Sequence, residues 1–111
     1  MAESIRIESN LADASARLEG ALVLLQAVAD PVRWTVLERL ADGTRCVCDI
    51  QAHVPVAANL LSYHLKVLRD AGLVTTERRG RWIDYTLAPD THERLAAAMP
   101  TAGARLSAAL P

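Results

Sequence analysis

Apolar residues recur at helical spacing over residues 11–29, where Leu11, Leu18, Leu22, Leu25 and Val28 mark one stripe. Gly20 weakens the middle of that stretch, so the spacing predicts a firm helix from about residue 16. Residues 1–10 are polar and without period, and are expected to form a flexible arm. Asp30-Pro31 reads as a helix start, an acid at the N-cap followed by Pro at the first helical position. The second helix runs to about residue 41 with Val32, Val36, Leu37 and Leu40 on one face, and Asp42-Gly43 stops it. A short third helix is expected at Val47–His53, closed by Val54-Pro55 because a residue before Pro avoids the helical region. A fourth covers residues 57–70 with Leu60, Leu61, Leu65, Val67 and Leu68 as its apolar set, and Ala71-Gly72 carries a C-cap signal.

The period then changes. Leu73 to Glu77 is short and β-branched, Arg78-Arg79-Gly80-Arg81 carries a turn, and Trp82 to Leu87 alternates, which together read as a β-hairpin. Trp82 and Tyr85 are expected to pack between the hairpin and the helices. After Pro89-Asp90 a last helix covers residues 91–99; Pro100 breaks it, and residues 101–110 can form a further Ala-rich turn or two. The expected fold is mainly α with a small β-hairpin, a winged helix-turn-helix in one domain over residues 1–111. In that arrangement the fourth helix enters the DNA major groove and the hairpin lies along the backbone.

Length and composition agree with one folded domain. The chain has 111 residues, 51% hydrophobic and 23% charged, so it is too apolar for disorder and too short for two domains. A lone domain this size is marginal, and pairing with a second copy would help. The first and last helices, rich in Ala and Leu, are the expected dimerisation faces. No apolar run is long enough to span a membrane and the N-terminus lacks a signal-peptide pattern, so the sequence reads as cytoplasmic, with reduced thiols.

The net charge is −1, which excludes a globally basic nucleic-acid binder, but the charge is unevenly spread. Residues 57–87 hold five basic against three acidic residues, a net +2, whereas residues 1–56 hold five against eight, a net −3. The basic excess sits where the groove helix and wing would be. Asn59, Ser62, Tyr63 and His64 interrupt the apolar groove helix with groups that can bond base edges or phosphates, and Lys66 can neutralise a phosphate. Arg78, Arg79 and Arg81 would grip phosphates beside the minor groove, with Arg81 able to enter it. The alternative is a solvated helix face and a solvated turn.

Cys46 and Cys48 are the two cysteines. Their thiolates are soft ligands that prefer thiophilic ions. Residues i and i+2 do not face each other on a regular helix, so one ion can take both only if Cys46 lies before the helix or its first turn unwinds. A helix N-terminus and the neighbouring Arg45 would lower the thiol pKa. The alternative is that both are small buried core residues.

Four stretches together resemble the ArsR/SmtB family of dimeric, metal-sensing winged-helix repressors. They are Ala27-Val28-Ala29-Asp30-Pro31-Val32-Arg33, Cys46-Val47-Cys48-Asp49-Ile50, residues 61–74 (LSYHLKVLRDAGLV) and Arg79 to Leu87. The second is similar to the cysteine box of the family's arsenic and cadmium/lead branches, and the third to its recognition-helix signature. The resemblance covers about residues 20–90. It implies a homodimer bound to double-stranded operator DNA and released when arsenite or antimonite binds Cys46 and Cys48. Binding there would distort the start of the third helix, which leads into the groove helix.

Departures from the family pattern bear on the ion. Gln51 and Ala52 stand where some arsenic sensors carry a third cysteine, leaving water, hydroxide, a small thiol or His53 as third ligand. The N-terminal arm has no cysteine, which disfavours a four-sulfur cadmium site. Asp90-Thr91-His92 matches half of the zinc site of other members, but Gly103 and Leu106 occupy the other half, and a half-site cannot close a tetrahedral zinc shell. Asp90 is therefore expected as an N-cap and His92 at the surface. Cadmium, lead or zinc remain alternative inducers in the same fold. A thiol redox switch is a further alternative, disfavoured by the strain expected of a disulfide at this spacing. No nucleophile–base pairing or phosphate loop points to an enzyme.

Overall fold

The computed structural model describes residues 2–100 and residue 102. Its order is α1 (Ala2–Val28), α2 (Pro31–Ala41), β1 (Arg45–Cys46), α3 (Val47–His53), α4 (Ala58–Asp70), β2 (Val74–Arg79), β3 (Trp82–Leu87) and α5 (Thr91–Ala98). This is the mainly helical winged helix-turn-helix architecture expected. No single helix among the described residues is long and apolar enough to cross a membrane. The expected turns after Pro100, Gly103 and Leu106 lie outside the described residues.

Two elements differ from expectation. α1 begins at Ala2, so the backbone expected as a non-helical arm is helical. No Pro interrupts the chain before Pro31, and Ala, Glu, Leu and Arg favour helix strongly enough to carry it through Gly20. The second difference is β1. It is only two residues long, too short to show a period, yet it pairs antiparallel with β3, Arg45 opposite Tyr85 and Cys46 opposite Asp84. The expected hairpin becomes a three-stranded sheet in the order β1-β3-β2.

The caps follow the sequence. Asp30 has extended backbone and its carboxylate accepts from the backbone N–H groups of Val32 and Arg33, satisfying two donors that α2 cannot satisfy itself. Gly80, at φ 64, takes the first of the two turn positions between Arg79 and Trp82, where a hairpin turn favours Gly. The core is formed by Val36 and Leu40 of α2, Ile50 of α3, Leu61, Leu65 and Leu68 of α4, then Leu73, Val74 and Tyr85 of the sheet region. The last turn of α1 joins it through Ala27 and Val28, with Leu24 packed against it. Leu11, Leu18 and Leu22 face solvent, the last 44% exposed.

α5 packs against α1 and also fixes the join between α4 and the wing. Arg94 donates to the carbonyls of Gly72 (2.7 Å) and Ala71 (2.9 Å), and the Thr91 hydroxyl donates to the carbonyl of Leu73 (2.8 Å). These bonds satisfy carbonyls just past the end of α4. Gly72 has φ +75, and a Cβ there would lie 3.0 Å from the Arg94 guanidinium. Gly72→Ala should therefore cost about 1–2 kcal/mol from the left-handed backbone alone, seen as a lower urea midpoint with unchanged m-value.

Candidate nucleic-acid interface and thiol pair

Burying Leu61, Leu65 and Leu68 turns the opposite face of α4 outward. Asn59, Ser62, Tyr63 and Lys66 are exposed there, and so is Arg69, three residues on from Lys66 on the same stripe. Arg69 was missing from the residues expected to contact DNA; its spacing from Ser62 and Lys66 is the signal that finds it. Ser62, Lys66 and Arg69 line a cleft between α4 and the wing, with Val47, Ile83 and Tyr85 forming its other side. Lys66 bonds Asp70 at 2.7 Å, one turn along, and that bond holds the Asp70 carboxyl below the usual carboxylate range.

His64 is a correction. It is only 6% exposed and cannot reach a base edge. Its position in the helix period falls between Leu61, Leu65 and Leu68, so it turns inward, where its Nδ1 meets Arg33 at 2.9 Å.

On the wing, Arg78, Arg79 and Arg81 are all exposed. Arg79 donates through Nε (3.0 Å) and Nη2 (3.3 Å) to the two oxygens of Asp84, a two-pronged pair that lowers the Asp84 pKa. Among the described residues, Arg78 and Arg81 make no ion pair. Trp82 is a second correction. It is 46% exposed, because register pairs it with Arg79 on the outer face of the hairpin while Ile83 and Tyr85 take the inner face. Tyr85 packs in the core as expected.

Cys46 stands immediately before α3, with extended backbone (φ −73, ψ 157), and its sulfur accepts from the Asp49 N–H at 3.3 Å. Being outside the helix frees its side chain to turn back onto Cys48. The two sulfurs are bonded to each other as a disulfide, with Cα atoms 5.3 Å apart. Expected as reduced thiols, the pair is thus oxidised here, and the facing problem of i and i+2 is removed by the cap geometry. β1 ties the same residue to the wing.

Charged groups cluster beside the pair. Asp49 accepts from Arg39 through Nε (3.0 Å) and Nη2 (3.1 Å), and lies 3.8 Å from Arg45 and 3.6 Å from His53. The Arg39 bond comes first in holding the Asp49 carboxyl below the usual range, with the Arg39, His53 and Arg45 charges adding to it. Arg45 thus faces Asp49, and its buried Nε makes no hydrogen bond among the described residues. His53 sits at the last turn of α3, its Nδ1 2.9 Å from the Asp49 carbonyl. No cluster of three or more His, Cys, Asp or Glu side chains able to hold a metal ion occurs among the described residues. Asp90 occupies the N-cap position of α5 but its side chain makes no capping bond, and His92 is exposed.

Comparison with known proteins gives consistent matches. Residues 30–76 match the family described as "Bacterial regulatory protein, arsR family". Over 71 residues the chain is 44% identical to an HTH-type transcriptional repressor SmtB of Mycobacterium tuberculosis, covering 64% of this chain and 53% of that protein. Over 63 residues it is 43% identical to an arsenical resistance operon repressor of Bacillus subtilis, covering 56% of this chain and 60% of that protein. The chain therefore spans between about half and three-fifths of the length of these curated relatives. Among solved structures, a possible transcriptional regulator for arsenical resistance superposes with a TM-score of 0.64 at 30% identity, over 79% of this chain and 97% of that one.

The Arg39–Asp49 pair has a testable pH signature. A carboxyl whose folded pKa is depressed stabilises the fold above its unfolded value and loses that contribution as pH falls through the folded one. Asp49→Asn should thus be less stable than the parent chain at neutral pH, and the gap should close as pH drops below about 3.8. Urea midpoints at several pH values would read it; a gap that persists at pH 2 would point away from the ion pair.

Proposed function

The chain belongs to the ArsR family of bacterial regulatory proteins, and from that premise we propose that it is a metal-responsive transcriptional repressor. In this reading it binds operator DNA as a homodimer and lets go when arsenite or antimonite is taken by Cys46 and Cys48. The observation that carries the reading is the placement of Cys46 as the N-cap of α3, with both sulfurs adjacent, on the short helix that leads into α4.

The donor set favours a thiophilic ion with few protein ligands. Two sulfurs suit a pyramidal arsenite or antimonite whose third position is filled by water, hydroxide or a small thiol. His53 is engaged at the far end of α3 and is a poor third ligand. The set is too small for a four-sulfur cadmium site or a tetrahedral zinc site, so cadmium, lead and zinc are the weaker alternatives. A bound ion would compete with the Asp49 N–H for the Cys46 sulfur and would force the Cys46–Cys48 spacing to a new value. The first turn of α3 then shifts, and α4 shifts with it. In a dimer, two groove helices must keep the spacing of successive half-sites, so a small change lowers affinity.

Asn59, Ser62, Tyr63 and Lys66 are the proposed groove contacts, with Arg69 added, and Arg78, Arg79 and Arg81 the wing contacts. A second reading is a thiol redox switch, favoured by the Cys46–Cys48 bond itself. There, loss of two electrons and two protons from the thiols to a peroxide would close the pair, in place of ion binding.

Fluorescence anisotropy on DNA from the chain's own upstream region separates these readings. Under reducing conditions arsenite should release the protein, and Cys46→Ser/Cys48→Ser should bind DNA without responding. Release by peroxide, reversed by reductant, with no effect of arsenite on the reduced protein, would favour the redox switch instead. The same assay weighs the wing. Arg78→Ala and Arg81→Ala should each weaken binding and reduce the slope of log affinity against log salt by about 1, the loss of one phosphate contact. Arg79→Ala should change it less, because Asp84 already holds that guanidinium.

A further inference from the structure

Arg33 is the most connected side chain outside the sites described so far. From the first turn of α2 its Nε donates to the carbonyl of Ala27 at 2.6 Å and its Nη2 to that of Gln26 at 3.1 Å. Those carbonyls belong to the last turn of α1, where no intrahelical partner exists. Its Nη1 meets Nδ1 of the buried His64 at 2.9 Å. One guanidinium thus closes the end of α1 and reaches the inner face of α4.

The chemistry of this contact restricts His64. A guanidinium has only donors, so the Nδ1 it meets must be a bare acceptor and the ring proton must sit on Nε2. A protonated imidazole has no acceptor left and would put two cations in contact. The group able to take its Nδ1–H is Asp30, whose Oδ1 lies 3.8 Å away. That same oxygen already accepts from Val32 N–H (2.8 Å) and Arg33 N–H (3.0 Å). A proton on Nδ1 would displace the Arg33 guanidinium and turn the ring toward the Asp30 carboxylate, which caps α2. Asp30 and Arg33 are the charged groups facing the ring from α2; α1 offers backbone carbonyls. Tyr63, on α4 itself, packs edge-on with ring centroids 5.2 Å apart. Asp70 lines, with Arg33 and Tyr63, a cleft between α1 and α4, its carboxylate occupied by Lys66.

We propose that Arg33 and His64 are positioning residues that set the groove helix against the end of α1, and that they hold only while His64 is neutral. The effect on DNA rests on the repressor reading above. α1 carries the outward Leu18 and Leu22, the face expected to meet a second copy, so the tether links the orientation of α4 to that of the dimer helix. Operator affinity then falls when the ring takes up a proton.

Two measurements on the whole chain test this. Nitrogen NMR of the His64 ring at pH 8 should show a bare Nδ1 and a protonated Nε2; a proton on Nδ1 would overturn the proposal without any DNA present. Anisotropy at fixed ionic strength should show parent-chain affinity falling about three- to tenfold as the pH is lowered stepwise from 8 to the onset of unfolding, the worth of one net hydrogen bond. His64→Asn puts a non-titrating carbonyl oxygen near the Nδ1 position. It should keep the affinity seen at pH 8 and lose most of the fall. An equal fall in the variant would overturn the proposal. If no DNA binds at any pH, the repressor reading fails. Amide exchange in α4, corrected for intrinsic rates, then decides the tether: it should quicken over the same descent in pH in the parent chain and not in His64→Asn.

Discussion

The burial of one face of α4 is the constraint from which the rest follows. Leu61, Leu65 and Leu68 are nearly inaccessible, packed with Val36, Leu40 and Ile50 from the two preceding helices. A helix buried along one stripe has no freedom to rotate, so its polar stripe is directed outward by the same contacts. Losing any of those leucines would open a cavity and also release the aim of Ser62, Lys66 and Arg69. Stability and the presentation of the outer face are one property here. The wing depends on it too, since Leu73 and Val74 enter the core directly after α4 ends.

The thiol pair gains its position from the opposite kind of structure, a break in regularity. Cys46 belongs to a strand on one side and caps a helix on the other. In a continuous helix its sulfur would point away from Cys48; in a continuous strand it would point to the same face but with no helix to disturb. The two-residue strand also gives the site a second neighbour, since Cys46 pairs with Asp84, whose carboxylate holds Arg79. The cysteine site is therefore paired directly with the wing and leads to α4 through α3.

Much of this was legible in the residues because each signal had a local physical cause. Asp30-Pro31 specifies a cap by side-chain chemistry, Gly80 permits a turn, and the leucine spacing of α4 declares its buried face. What escaped lacked such a cause. β1 is too short for a period and exists because β3 offers it a pairing edge. His64 and Trp82 each carry an aromatic ring with a polar N–H, and helix phase and strand register send one inward and the other outward. The oxidised pair was disfavoured by the strain expected of a disulfide at this spacing, and the extended cap backbone of Cys46 was not foreseen in that reasoning. The start of α1 escaped for a different reason: a polar stretch without period can still be helical when nothing in it breaks a helix.

That long α1 has a consequence of its own. Its final turn is held by the core and α5 packs against it, while Leu11, Leu18 and Leu22 meet solvent along its outer length. Most helical stability in a protein comes from packing of an apolar face, so the exposed leucines leave that stretch of α1 weakly held by its own chain. With a second copy as the covering surface, order along α1 becomes a matter of mass action. Dilution would then fray the helix from its N-terminal side while the core around α4 stays intact, and the melting temperature of the whole would carry a dependence on protein concentration.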